Sequence, residues 1–375
     1  MTVILILFFM FLTACASEVS PAGEQVTVAP AKTIVIPAPQ QEPAPAPVQE
    51  AGWVESLREQ ITLLDEQMPG SLGVYIKNMA DDHSLSYNAE NDLYFASTTK
   101  IPVAIAILQR VNAGELSLDQ KVALKETDFV DGNGDVKWQK PGTTYTIAIL
   151  LEKMIRESDN CSTDMLIRLM GQEELNQQVR ERMIAGGINP ITTLLQVRYD
   201  AFSEIHPGAL KLTNRDIMNI NSTASRQERM NRLLRLMAVE DSELKVHSLE
   251  EAFDRYYRRG YNSGRLESMG LLLERFYNGE LLSPEHTEYL MGVMQNITTG
   301  DRRIKAGLPS GVLFAQKTGT QIETAANAGI IFPANNPEGQ PIIVVVNARN
   351  FGQLSHAEEA MKKIGEMIGE SLLVK

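Results

Sequence analysis

Cysteine is nearly absent. Cys15 and Cys161 are the two in 375 residues, which allows one disulfide at most. Histidine is scarce as well. His83, His206, His247, His286 and His356 show no metal-ligand spacing, which argues against a zinc hydrolase. No metal and no other cofactor is expected. An excess of positive charge is missing too. The formal net charge is −12, and nucleic acid needs a basic face, so nucleic acid is not expected as a partner. No internal repeat is visible. What is present is ordinary for a folded enzyme: 43% hydrophobic and 22% charged residues, enough for a real core.

The apolar run Val3–Ala14 is too short to span a bilayer and reads as the hydrophobic part of a secretory signal over residues 1–14. Leu12-Thr13-Ala14-Cys15 resembles a bacterial lipobox, although Met1-Thr2 carries no Lys or Arg. Lipidation of Cys15 would leave Cys161 without an intrachain partner. Residues 15–50 are rich in Pro, Ala, Gln and Glu, a composition that stays extended as a tether. The expectation is an extracytoplasmic, membrane-anchored lipoprotein with one folded domain over 51–375, taken as a monomer.

Within that domain, Trp53–Met68 has helical periodicity through Val54, Leu57, Ile61 and Leu64. Ser71–Lys77 alternates as a strand, and a second strand is expected near Leu85–Tyr87. Helices are expected over Thr146–Arg156 and Ser162–Met170, through a densely charged block at about 222–265, and over Leu266–Tyr277. The charged block reads as a solvated helical surface. Strands follow at Val312–Thr320, Ala328–Pro333 and Ile342–Asn347. The last helix is read as opening on a Ser355/Glu358 capping box. Asp131-Gly-Asn-Gly-Asp135 begins like a calcium loop, but Val136 and Gly142 stand where Gly and Glu are needed. It is read as a surface loop, with Phe129 or Trp138 over a neighbouring cleft or packed inward. The order implies an α/β (α+β) fold of two lobes. An antiparallel sheet is built from both chain ends and flanked by helices, and an all-helical lobe spans about 97–298.

Three short segments carry the chemistry. Ser97-Thr-Thr-Lys100 opens an apolar helix, so hydroxyl and amine share one face. A serine needs a base, and a lysine serves once burial or a nearby cation lowers its pKa. Ser158-Asp-Asn160 adds a second hydroxyl and an amide. Lys317-Thr318-Gly319-Thr320 lies on a strand. There a cation, two hydroxyls and a close-approaching glycine suit an anionic substrate along the edge.

In this order the three motifs resemble those of the penicillin-recognising serine hydrolases, class A β-lactamases most closely, over about Gly52–Lys375. The resemblance implies that Ser97 forms the acyl-enzyme with Lys100 as base or relay. It implies that Ser158 passes a proton to the departing nitrogen, aided by Lys317. Asn160 would hold the substrate side-chain amide, and the Ser97 and Thr320 N–H groups would form the oxyanion hole. Thr318 and Thr320 would bind the substrate carboxylate, with Arg303 assisting. The family's Glu-x-x-Leu-Asn, which activates the deacylating water, is not found. In its region Asp200 is the candidate base, and Glu204 the weaker one. Three functions follow: hydrolysis of a β-lactam; D,D-peptidase or amidase action on a cell-wall peptide, with β-lactams as trapped inhibitors; or a non-catalytic envelope binding protein.

Overall fold

The computed structural model describes residues 51–334 and 340–373. The expected signal, Cys15 and the tether lie outside the described residues. The described residues begin with helix α1 (Gly52–Gln67), whose Val54, Leu57, Ile61 and Leu64 form one buried stripe. Strands β1 (Ser71–Asn78) and β2 (His83–Tyr87) follow, then the short β3 (Leu93–Tyr94). Helix α2 (Lys100–Asn112) is buried on every side from Lys100 to Leu108, as an apolar helix without a polar face must be.

The helical lobe continues with short strands β4 (Lys121–Ala123) and β5 (Thr144–Thr146), which pair with each other. Then come α3 (Ile147–Glu152), α4 (Asn160–Met170), α5 (Gln172–Gln178) and α6 (Leu194–Ser203). The charged block forms α7 (Asn214–Ile220), α8 (Arg226–Met237) and α9 (Leu249–Tyr257). It is not solvated all round. Met230, Leu233, Phe253 and Tyr256 are buried in a cluster with Val197 and Phe202 of α6. The short β6 (Ser263–Gly264) pairs with β3, and α10 (Leu266–Tyr277), α11 (Pro284–Gln295) and α12 (Ile304–Gly307) lead to the last strands.

Strands β7 (Leu313–Gln321), β8 (Thr324–Phe332) and β9 (Ile342–Arg349) complete an antiparallel sheet of order β2-β1-β9-β8-β7. Both chain ends thus build one sheet, and α13 (Leu354–Ile368) packs on it. Side-chain alternation divides the two cores. Val344 and Val346 face α1 and α13, whereas Ile343 and Val345 face the helical lobe. Each such buried side chain contributes roughly 1.5–3 kcal/mol relative to exposure. The expected Ser355/Glu358 capping box does not form. The helix starts at Leu354, and its cap residue Gln353 makes no side-chain cap bond. Glu358 instead faces Arg303, 3.9 Å away. Phe129 is fully buried, and Trp138 is exposed.

Candidate active site

Ser97 lies in a single tight turn, Ala96–Thr99, that feeds α2. In a 3-10 turn residues i and i+3 eclipse, so Ser97 and Lys100 share a side although the α-helix begins at Lys100. Ala96 takes a left-handed conformation at φ +48°, which costs a non-glycine residue roughly 1–2 kcal/mol. The turn offsets this locally. The Thr98 and Thr99 hydroxyls donate to the carbonyls of Phe95 and Ala96 at 2.8 and 2.9 Å. The Ser97 side chain lines an open cleft.

Lys100 is fully buried, yet its amine is saturated. It donates to the Ser158 carbonyl at 2.7 Å, Ser158 Oγ at 3.1 Å and Asn160 Oδ1 at 2.8 Å. Burial lowers its pKa from 10.5 to about 7, opposed by the nearby Asp159 and Asp164. Near neutrality a large fraction is therefore free amine, able to take a proton. Ser158 presents its carbonyl and hydroxyl to Lys100 from an unusual backbone. A widened turn, Lys153–Glu157, ends in Ser158 at φ +58°. Asp159 then caps α4, accepting from Ser162 N at 2.6 Å.

The loop 131–135 forms one wall of the cleft. Asn160 Nδ2 donates to the Asp131 carbonyl at 2.7 Å, which fixes its Oδ1 toward Lys100. A Cβ on Gly132 would come within 2.2 Å of Asn160 Nδ2, so the loop presses on the motif because residue 132 has no side chain. The acidic residues of this loop are engaged by cations. Arg198 binds Asp131 through Nε and Nη2 at 2.7 and 3.0 Å, and Lys153 binds Asp135 at 2.7 Å. The ladder Arg198–Asp131–Asn160–Lys100–Ser158 is thus continuous.

The opposite wall is β7, an edge strand of the sheet. Lys317 is fully buried and donates to the Thr318 carbonyl at 3.0 Å. Burial, with Lys100 and Arg303 adding repulsion, drives its pKa well below the usual value. Arg303 donates to the carbonyls of Gly319 and Ala326 at 2.8 and 2.9 Å and to Thr320 Oγ1 at 2.5 Å. The Thr320 hydroxyl proton is therefore left to point elsewhere. At Gly319 a Cβ would meet the Phe95 carbonyl and Ser97 N at 2.8 Å. β7 and the Ser97 turn touch because this residue is glycine.

The cleft has a volume of about 290 Å³, and its walls include Ser97, Ser158, Asn160, Thr318, Thr320 and Arg303. Ser97, Lys100, Ser158, Asn160, Lys317, Thr318, Gly319, Thr320 and Arg303 are thus brought together. Asp200 is not among them. Its carboxylate accepts from Gln196 at 2.9 Å and faces Arg259 at 3.5 Å. Glu204 is likewise paired with Arg259. Residues 198 and 200 lie about 200° apart around a helix, so α6 turns Arg198 to the cleft and Asp200 away. Among the described residues lining the cleft, the carboxylate is Glu358, at the Arg303 end. Sequence reading gave Asp131, Arg198 and Glu358 no role at the site. A cation in helical phase with the motif side of α6 was the available signal for Arg198.

Cys161 is buried behind the second motif, its thiol pushed up to about 12 by burial, as expected of a packed residue rather than a nucleophile. Asp164, also buried, accepts from the N–H groups of Leu194 and Leu195 at 2.7 and 2.9 Å. It anchors the start of α6.

The family model described as "Beta-lactamase enzyme family" matches residues 56–372. β-Lactamase VEB-1 of Pseudomonas aeruginosa is 26% identical over 301 residues, 77% of this chain and 80% of that enzyme. β-Lactamase ROB-1 of Haemophilus influenzae is 31% identical over 142 residues, 38% of this chain and 46% of that enzyme. Among solved structures, the extended-spectrum β-lactamase TLA-1 superposes with a TM-score of 0.64 at 20% identity, covering 86% of this chain and 99% of that one. A PBP-A variant in an acyl-enzyme complex with penicillin G superposes with a TM-score of 0.60 at 22% identity, covering 85% and 96%. These structures share the fold.

Proposed function

The chain belongs to the β-lactamase enzyme family, and from that premise we propose that Ser97 opens the ring amide of penicillin- or cephalosporin-type β-lactams and that water then frees the acyl-enzyme. The observation that carries this reading is the contact of the buried Lys100 amine with Ser158 Oγ and Asn160 Oδ1, in a cleft that also exposes Ser97. Lys100 takes the Ser97 proton as Oγ attacks the carbonyl carbon. The tetrahedral oxyanion is received by the N–H groups of Ser97 and Thr320. As the C–N bond breaks, Ser158 Oγ donates its proton to the departing nitrogen and is reprotonated from Lys100. Thr318 and Thr320 receive the substrate carboxylate, and Asn160 its side-chain amide. Arg303 lines the cleft and Lys317 is buried beside it, and an anionic substrate favours the charged form of both.

A second reading has its own support. α6 presents Arg198 to the cleft, whereas Asp200, the candidate base, faces Arg259. This favours a long-lived acyl-enzyme, as in a D,D-peptidase or amidase acting on cell-wall peptide and trapped by β-lactams. A chromogenic cephalosporin distinguishes them. Sustained colour development, lost in Ser97→Ala, supports hydrolysis. One stoichiometric adduct on Ser97 by intact-protein mass supports the second reading. Neither colour development nor an adduct in the wild-type protein would refute both.

We also propose that the domain is exported and held at a membrane through lipid on Cys15, the lipobox-like segment being the support. Labelling with a fatty-acid analogue, lost in Cys15→Ser, is the test.

A further inference from the structure

The helical block α7–α9 does more than extend the surface. Its apolar side encloses Ile322, which is 7% exposed and belongs to the same cluster as Phe253 and Tyr256. Ile322 and Glu323 form the tip between β7 and β8, directly after Thr320 and Gln321 on the cleft wall. Two side chains of the block grip this tip. Tyr257 Oη donates to the Ile322 carbonyl at 2.7 Å. Arg226 Nη1 donates to Glu323 Oε1 and Glu250 Oε1, both at 2.7 Å. Glu323 holds the tip from the other side. Its second oxygen accepts from Gly352 N at 2.9 Å, and its carbonyl accepts from Asn350 N at 2.9 Å. Glu323 itself takes φ +52°, a conformation that surrounding contacts must hold.

The placement matters because β7 is an edge strand. Its outer side has no strand neighbour to fix it, and that side faces the Ser97 turn. The distance between the two N–H donors therefore depends on the Gly319 contact, on the Arg303 bonds to Gly319 and Thr320, and on the tip just beyond Thr320.

We propose that the α8–α9 block is a strut that sets the Thr320 N–H against Ser97, with Arg226 and Tyr257 as positioning residues for acylation. This rests on the reading of Thr320 as an oxyanion donor. Neither residue touches substrate. A misplacement of about 1 Å at a reacting centre can cost ~10²-fold in rate, so losing one grip is expected to cost roughly tenfold.

Stopped-flow acylation by a chromogenic cephalosporin separates the binding constant from the acylation rate constant. Arg226→Met and Tyr257→Phe are each expected to slow acylation about tenfold while binding changes less than about threefold. Arg226→Lys is expected to recover most of the rate. Arg235→Met removes a surface pair with Glu228 on the same helix and is expected to leave both constants unchanged. Should Arg226→Met fail to fold, Glu323→Gln weakens the same contact without loss of volume and carries the same expectation. Folded Arg226→Met and Tyr257→Phe that acylate within twofold of wild type would overturn the strut. So would an equal slowing in Arg235→Met. Failure of the wild-type protein to form any Ser97 adduct would instead strike the underlying reading.

Discussion

Gly319→Ala tests the geometry of the oxyanion site at one atom. The added Cβ would lie 2.8 Å from the Phe95 carbonyl oxygen, 2.8 Å from Ser97 N and 2.9 Å from Ala96 Cβ. Comfortable contact needs about 3.5 Å, so strand and turn must separate by roughly 0.7 Å. The backbone of Gly319 is not in the left-handed region, and alanine in a strand would otherwise gain about 0.5–1 kcal/mol. Overpacking costs typically 1–3 kcal/mol, which leaves a net loss of roughly 0–2.5 kcal/mol, and the protein should fold. Activity should suffer far more. On the proposed mechanism the two parts pushed apart each carry one oxyanion donor, and losing one such donor costs about 10²–10³ in rate. Single-turnover acylation by a chromogenic cephalosporin should slow by about 10²-fold, with a modest fall in the urea midpoint. Acylation within about threefold of wild type, in a folded variant, would refute the assignment of Ser97 N and Thr320 N as paired donors.

Three further outcomes are expected. The acylation rate should rise with pH through about 7 and then level off as Lys100 loses its proton, an inflection that a stopped-flow pH series would reveal. The same group penalises folding below about pH 7. That penalty fades between about 7 and 10.5, where the unfolded chain holds a proton that the folded one lacks, so Lys100→Met should lessen the rise in stability over this window in urea titrations. Arg198→Met strands the Asp131 carboxylate in a mostly buried place and should cost about 3 kcal/mol of stability, read from urea unfolding. Asp200→Asn should change the rate of acyl-enzyme breakdown less than about threefold by mass spectrometry. A tenfold slowing would restore Asp200 as the base.

The three motifs were legible because each joins reactive groups within two to three residues, where local geometry decides what is neighbour to what. Ser97 and Lys100 share a face in either kind of helical turn, and the β7 side chains follow from strand alternation. The rest depended on contacts between distant segments. The loop 131–135 read as surface, yet Asn160 Nδ2 reaches its backbone carbonyl, a contact with no signature in residue type. Asp200 was chosen for its chemistry, and helical phase turned it the wrong way. Glu358 matched a capping pattern, but the Arg303 cation is its nearer partner. The left-handed Ser158 at the end of a widened turn has no signal in the sequence either, since serine seldom takes that conformation.

The pairing of β1 with β9 sets Ser71 opposite Arg349. β1 meets β2 at once, but a ribosome must deliver nearly the whole domain before its other edge meets β9. Pairings this remote fold slowly, on the scale of milliseconds to seconds, and leave β1 with an open apolar edge until synthesis is almost complete. A nascent chain halted before Ile342 lacks the central strand of the sheet. Such a truncated product should be a ready substrate for proteases and chaperones.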